Sequence, residues 1–471
     1  MKFRAILILV AVMFAILNAN AQLYIGKRLN LINPLPARTS KTDAEALRLM
    51  RNEKLDLILP GAMRDNNVDM WIHVTRGQDP MAMQFGRTSG YLIFTDLGDR
   101  IERAVFGGSA GAVENIDVWG SEDVARAFAG YNYDNSDPSQ GFSVPEVFNE
   151  IREFVAERDP QTIAVNYSDF LPVADGISHT QYLNLEKILG PKYSARIVSA
   201  ENVITDFLIR RTSREVAARI EVFALARQEV LERFSKVVPG VTTRRDVGAR
   251  VIYSAVSSMS ETRSRSYILQ RGDLFYCGGD PGGTYMEFEV DTKTYAYILR
   301  EGETKAPEFL QKAYDLAIAG QWIMRPHMKV GMTGGESLKA MVKAMEEAGY
   351  IYTPFSDNGR KDSEMVKRVL ANTDKPGFSI DNHSMGNNNI DTREVEWDTR
   401  TEGPSMAPWR TFTHHLKIQE NHFFALEYMV HMNITERPGE PLRFNISTPQ
   451  MVTNLGVEFI QPPNEEVVLI K

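Results

Sequence analysis

The sequence predicts an α/β chain built in two parts, and three patterns carry that prediction. Over residues 22–199, helix and strand patterns alternate, as in a mixed and largely covered sheet. Over residues 200–471, a helix, a Gly-x-Thr turn and a second helix start occur twice, at Gly240-Val-Thr242 and again at Gly331-Met-Thr333. Between the copies, Tyr267 to Tyr295 reads as a β-hairpin around the Gly-Gly-Asp-Pro-Gly-Gly cluster that begins at Gly278. Two αα-ββ halves about a pseudo-twofold axis place a pocket between their sheets.

The chain begins with a transport signal. Lys2 and Arg4 precede an apolar run from Ala5 to Leu17, and Asn18-Ala-Asn-Ala21 supplies the small residues of a cleavage site before Gln22. We therefore expect residues 1–21 to be removed and the mature protein to be periplasmic or secreted, with no membrane span after cleavage. A net charge of −8 without a basic run argues against a nucleic-acid partner. The single cysteine, Cys277, excludes intramolecular disulfides and a cysteine-ligated zinc. It is expected to be a buried, small apolar residue.

Taken in order, Asp43 to Asn52 has a helical pattern and Lys54 to Pro60 reads as a strand that stops at the proline. Gly90–Thr95 and Ile101–Phe106 flank the turn Leu97-Gly-Asp-Arg100 and form a hairpin. Pro145–Arg158 is an amphipathic helix, Thr162–Tyr167 a strand and Tyr182–Leu189 a helix. Ser213–Val238 is a long helix, with Ser213 as its N-cap and a stripe of Val216, Ile220, Phe223, Ala224, Val230, Leu231 and Phe234. A further helix starts at Arg244, one opens at Pro307, and another covers Glu336–Ala348. In the hairpin's second arm, Glu287, Glu289 and Asp291 recur at period two and share one face, which either meets water or lines a site that wants negative charge.

Leu171-Pro-Val-Ala-Asp-Gly-Ile-Ser178, Asp206-Phe-Leu-Ile-Arg-Arg-Thr-Ser213 and Gly272-Asp-Leu274 stand in the order and spacing of one known family. The chain resembles the creatinase and aminopeptidase P family, whose pita-bread fold is shared with prolidase and methionine aminopeptidase. The resemblance implies a creatinase-type N-terminal α/β domain over 22–199 and a pita-bread catalytic domain over 200–471. It also implies hydrolysis at two divalent metals held by Asp, Asp, His, Glu and Glu.

Carried over position by position, that ligand set is incomplete here. The first aspartate position falls on Gly278, and the second on Glu289, with Asp291 able to take that role if a bulge shifts the register. His383, in Asn382-His-Ser-Met-Gly386, and Glu427, in Ala425-Leu-Glu-Tyr428, match the family's histidine and first glutamate. Ile460 stands at the last glutamate, and the auxiliary histidine positions near Met259 and at Ile390 carry none. Bridging carboxylates offset the repulsion between paired metals, so without them a dinuclear centre is not expected. Two arrangements stay open. Glu289, His383 and Glu427 hold one Mn, Zn or Co ion, or His383 is a hydrogen-bonded cleft histidine with Glu427 as its acceptor and no metal.

The resemblance then implies an exported hydrolase related to Xaa-Pro aminopeptidase, cleaving a peptide or small amide with His383 and Glu427 as its catalytic residues. The alternatives are an inactive pita-bread protein that binds peptide, and a metal-free hydrolase of creatinase type. The family's habit of pairing makes a homodimer an expectation.

Overall fold

A computed structural model describes residues 40–75, 79, 81, 84–86, 88–120, 146–169, 171–279, 288, 290–354, 359–386, 403–463 and 465–471. Residues 1–21, Glu287, Glu289 and Ile390 lie outside the described residues.

The first elements are helices α1 (Ser40–Leu57) and α2 (Leu59–Asp65), then strands β1 (Met70–Val74), β2 (Ser89–Asp96), β3 (Ile101–Ser109) and β4 (Asp117–Trp119). Helix α3 (Glu146–Arg158), β5 (Ile163–Val165), α4 (His179–Ser194), β6 (Ile197–Ser199) and α5 (Glu201–Ile209) come after them. The six strands form one mixed sheet in the order β4-β3-β2-β1-β5-β6, with β2 antiparallel to both its neighbours and β5 parallel to β1. Alternation along β1 sends Met70, Ile72 and Val74 to the side covered by α3 and α4, and Trp71 to the side covered by α2 and α5. The hairpin read at residues 90–106 is the β2–β3 pair.

One stretch departs from its sequence reading. Lys54–Pro60 is helical, because Leu55, Leu59, Ala62 and Met63 recur at helical spacing and are all buried on one side. A short run of leucines satisfies either period, and burial on a single stripe decided for the helix.

Helix α6 (Ser213–Ser235) opens the second part. Its N-cap is Thr212, whose hydroxyl accepts from the Glu215 amide, rather than Ser213. Its buried stripe is Glu215, Arg219, Val222, Phe223, Ala226, Val230 and Phe234, so Ile220 and Leu231 lie on the exposed side. Strands β7 (Arg250–Tyr253), β8 (Leu274–Gly278) and β9 (Lys293–Ile298) come next. Helices α7 (Glu308–Met324) and α8 (Gly334–Glu347), β10 (Ile351–Tyr352), α9 (Gly359–Leu370), β11 (Gly377–Ile380) and β12 (His383–Ser384) lead to β13 (His422–Met432). The chain ends with β14 (Leu442–Thr453), β15 (Gly456–Phe459) and β16 (Val468–Ile470). Two sheets result, β16-β9-β8-β7 and β10-β11-β13-β14-β15, with β12 paired to β13.

The internal repeat has a hydrogen-bond signature. In the first copy Gly240 N donates to Leu269 O at 2.8 Å and Leu269 N donates back to Thr242 O at 2.9 Å. In the second, Gly331 N donates to Ile418 O at 2.9 Å and Ile418 N to Met332 O at 2.8 Å. Both glycines take positive φ, +78° and +87°, which a side chain would strain. Beyond the turn the two copies diverge. Thr333 and Glu336 build a capping box that starts α8, whereas the chain after Thr243 makes only a turn that closes at Gly248, φ +65°. The helix expected at Arg244 is therefore absent. No helix among the described residues is long and apolar enough to cross a membrane.

Candidate functional site

The two sheets of the second part meet where β9 begins. Tyr295 Oη donates to Asn445 O and accepts from Asn445 N, each at 2.7 Å, and Ser447 Oγ donates to Asp291 O at 3.0 Å. These contacts hold the chain just before and within β9 against β14. Glu427 stands on β13 directly opposite Ser447 of β14, and His383 of β12 pairs with Ala425 of β13. Four side chains converge there: Asp291, Lys293, His383 and Glu427.

Lys293 Nζ donates to Asp291 Oδ1 at 2.8 Å and to Glu427 Oε1 at 2.7 Å. His383 Nε2 lies 3.4 Å from Glu427 Oε2 and 3.7 Å from Asp291 Oδ2, while Nδ1 donates to the Ser384 carbonyl at 2.9 Å. That carbonyl fixes the tautomer, so Nε2 is the nitrogen turned to the carboxylates. The cluster is mostly closed to water: the His383 side chain is 1 % exposed, Glu427 9 %, Lys293 12 % and Asp291 22 %. Burial pushes both carboxyls up, but Lys293 and His383 outweigh it and hold Asp291 and Glu427 below their usual range. Burial pulls Lys293 down, and the two carboxylates more than reverse it.

The strand that carries His383 is held by α6 and the residues that lead into it. Arg211 donates to the Met385 carbonyl at 3.1 Å and Arg219 to the Gly386 carbonyl at 3.2 Å. Glu215 anchors both guanidiniums, with Arg211 at 2.6 Å, and also faces Lys54 at 3.6 Å. His422 Nε2 and Ser384 Oγ are 2.9 Å apart, and Ser384 Oγ donates to Pro404 O at 3.0 Å. Burial, reinforced by Arg211 and Arg219, keeps His422 well below its ordinary pKa, so it is a neutral structural group. The cue for this support was the i, i+4, i+8 spacing of Arg211, Glu215 and Arg219 across an apolar stripe.

Of the residues singled out in the sequence, His383 and Glu427 come together, joined by Asp291. Glu289 lies outside the described residues. Gly278 ends β8 directly opposite Lys293. Ile460 packs with Phe223, Met385, Phe423 and Ala425 beside the site. Cys277 is fully buried, and burial pushes its thiol up to about 12. Elsewhere, His414 donates through Nε2 to Ala407 O at 2.8 Å. Lys293 escaped the sequence reading, although it extends the same period-two face as Glu287, Glu289 and Asp291 by one more step.

Asp291, His383 and Glu427 present ligand atoms within 4.8 Å of one another, a donor set suited in type to one divalent ion. The charges do not suit it. The ammonium of Lys293 already lies at hydrogen-bond distance from both carboxylates, so a dication would face a like charge and find its anions neutralised. With Lys293 in place the residues do not fit a metal, and we derive no step through one.

No protein-family model matches the chain, and no curated protein does. Solved structures do. The X-Pro aminopeptidase of Thermotoga maritima is 13 % identical, and the match covers 87 % of this chain and 100 % of that one with a TM-score of 0.51. The Xaa-Pro dipeptidase of Bacillus anthracis is 14 % identical over 92 % of this chain and 100 % of its own, with a TM-score of 0.47. The N-terminal domain of a FACT complex subunit from Cicer arietinum is 10 % identical over 91 % and 99 %, with a TM-score of 0.46. The α/β first part, the duplicated second part and this likeness lead to one statement: the chain has the two-part, pita-bread fold of the X-Pro aminopeptidase from Thermotoga maritima.

Proposed function

We propose that this chain is an exported hydrolase of peptide or small amide bonds, of Xaa-Pro aminopeptidase type, that works from the Asp291–Lys293–His383–Glu427 cluster without a bound metal. The observation that supports the reading is the contact of a tautomer-fixed histidine, two carboxylates and an ammonium at the junction of the two sheets. They supply a base, groups that balance its charge, and a cation for a developing oxyanion.

In this reading, His383 Nε2 takes the proton of a water as its oxygen bonds to the carbonyl carbon, Glu427 and Asp291 steady the resulting imidazolium, and that imidazolium gives the proton to the leaving nitrogen as the C–N bond breaks. The ammonium of Lys293 supplies positive charge where the carbonyl oxygen becomes an oxyanion. Substrate approaches along the Asp291 and Lys293 side, the more open edge of the cluster.

One observation favours a second reading, in which the cleft binds peptide without turnover. His383 is 1 % exposed and both carboxylates are paired with Lys293, which leaves the reacting groups engaged with one another. A panel of dipeptides and tripeptides, with and without proline, separates the two. Turnover by the purified mature chain, reduced about 10²–10⁴-fold in His383→Ala, supports hydrolysis. Saturable binding with no turnover across the panel supports the second reading instead.

A further inference from the structure

We propose that Lys293 is the resident cation of this site: its ammonium takes the place of a divalent ion, and the two compete for Asp291 and Glu427. This goes beyond the proposed function, because it concerns equilibrium ion binding and holds whether or not the chain turns over a substrate.

Three features of the site point the same way. The ammonium sits between the carboxylates at 2.8 and 2.7 Å, bridging a residue just before β9 to one on β13 as a bound ion would. Its cross-strand partner is Gly278, the position to which the resemblance assigns the first aspartate and which here carries no side chain. Among the described residues, a Cβ at Gly278 would meet nothing nearer than the Thr292 carbonyl at 3.5 Å. Ile460, where the resemblance places the last glutamate, contributes a hydrocarbon contact to Phe223, Met385, Phe423 and Ala425.

The charge count explains why these features belong together. Two carboxylates face one ammonium and one histidine, so the described cluster carries a net charge of −1 with the imidazole neutral and none with it protonated, rather than the −2 that a dication would balance. A dication added to the native cluster must displace the ammonium from both of its partners, since like charges at that separation repel strongly away from bulk water.

The same geometry says what lies beneath the lysine. Without its charge, Asp291, His383 and Glu427 remain as an oxygen, nitrogen, oxygen set within 4.8 Å. The Ser384 carbonyl already holds the imidazole with Nε2 toward the carboxylates, an outer contact of the kind that orients metal-binding histidines. Such a set takes first-row divalent ions such as Zn, Mn and Co.

The test is ion binding to the full mature chain by equilibrium dialysis and elemental analysis, with ZnCl₂ and MnCl₂ as probes. The native chain is expected to retain no ion, whereas Lys293→Met retains about one per chain with at least ~100-fold tighter binding. The double variant Lys293→Met, Glu427→Gln should lose it again. Native chain and Lys293→Met binding an ion equally well would overturn the proposal, as would a folded Lys293→Met that binds none. If Lys293→Met does not fold by itself, the two unbalanced carboxylates predict that Zn²⁺ or Mn²⁺ restores its folding, and failure of both ions to do so overturns the proposal as well.

Discussion

Lys293 and Glu427 stand 134 residues apart in the chain and meet at 2.7 Å, tying β9 of one sheet to β13 of the other. With both side chains largely withdrawn from water, loss of one partner leaves the other charge unbalanced. Glu427→Ala is expected to cost about 3–5 kcal/mol of folding stability, measured by urea denaturation. A loss under ~1 kcal/mol, the range of exposed pairs, would mean the contact is solvated in solution.

A second buried network makes a contrasting prediction. Glu215 balances Lys54, Arg211 and Arg219 on the stripe of α6. Glu215→Ala therefore leaves three cations without this carboxylate and should be the more damaging change, again by about 3–5 kcal/mol. Lys54→Met leaves Glu215 with two partners and should cost clearly less. Equal losses for the two variants would contradict the network.

The repeat was legible because glycine punctuation and helix caps act locally: Gly240 and Gly331 hold the same positive-φ turn, whatever surrounds them. The β2–β3 hairpin was legible for the same reason, through its turn residues. Lys54–Pro60 was not, because an apolar run of that length fits either period until its neighbours are known. The absent helix after Thr243 shows the limit of a start signal, since the residues downstream must also sustain the helix and Gly248 ends it. In the site, His383 and Glu427 could be named from local context. Lys293 could not, because its role depends on a carboxylate from the other sheet.

His431 gives a pH dependence. Burial first, and Arg443 second, pull it down to about 3, so it is neutral in the folded chain. In the unfolded chain it titrates near ~6.5 and takes up its proton first as the pH falls. Its contribution is thus complete above about pH 6.5, declines as the pH drops toward 3, and changes no further below that. Denaturation series across this window should show a shallower decline for His431→Leu than for the native chain. Parallel declines would contradict a buried neutral histidine.

Cys277 should be inert. With its thiol buried and pushed up to about 12, alkylation by iodoacetamide at pH 8 is expected only after unfolding. Stoichiometric labelling of the native chain would place the residue in a more open setting than the β8 core provides.

The measurement that bears most directly on the resident lysine is a crystal structure of the native chain grown in excess MnCl₂, with anomalous data collected for manganese. The expected result is no anomalous peak between Asp291 and Glu427, and Lys293 Nζ within hydrogen-bond distance of both. A manganese peak there, with Lys293 turned away, would contradict it.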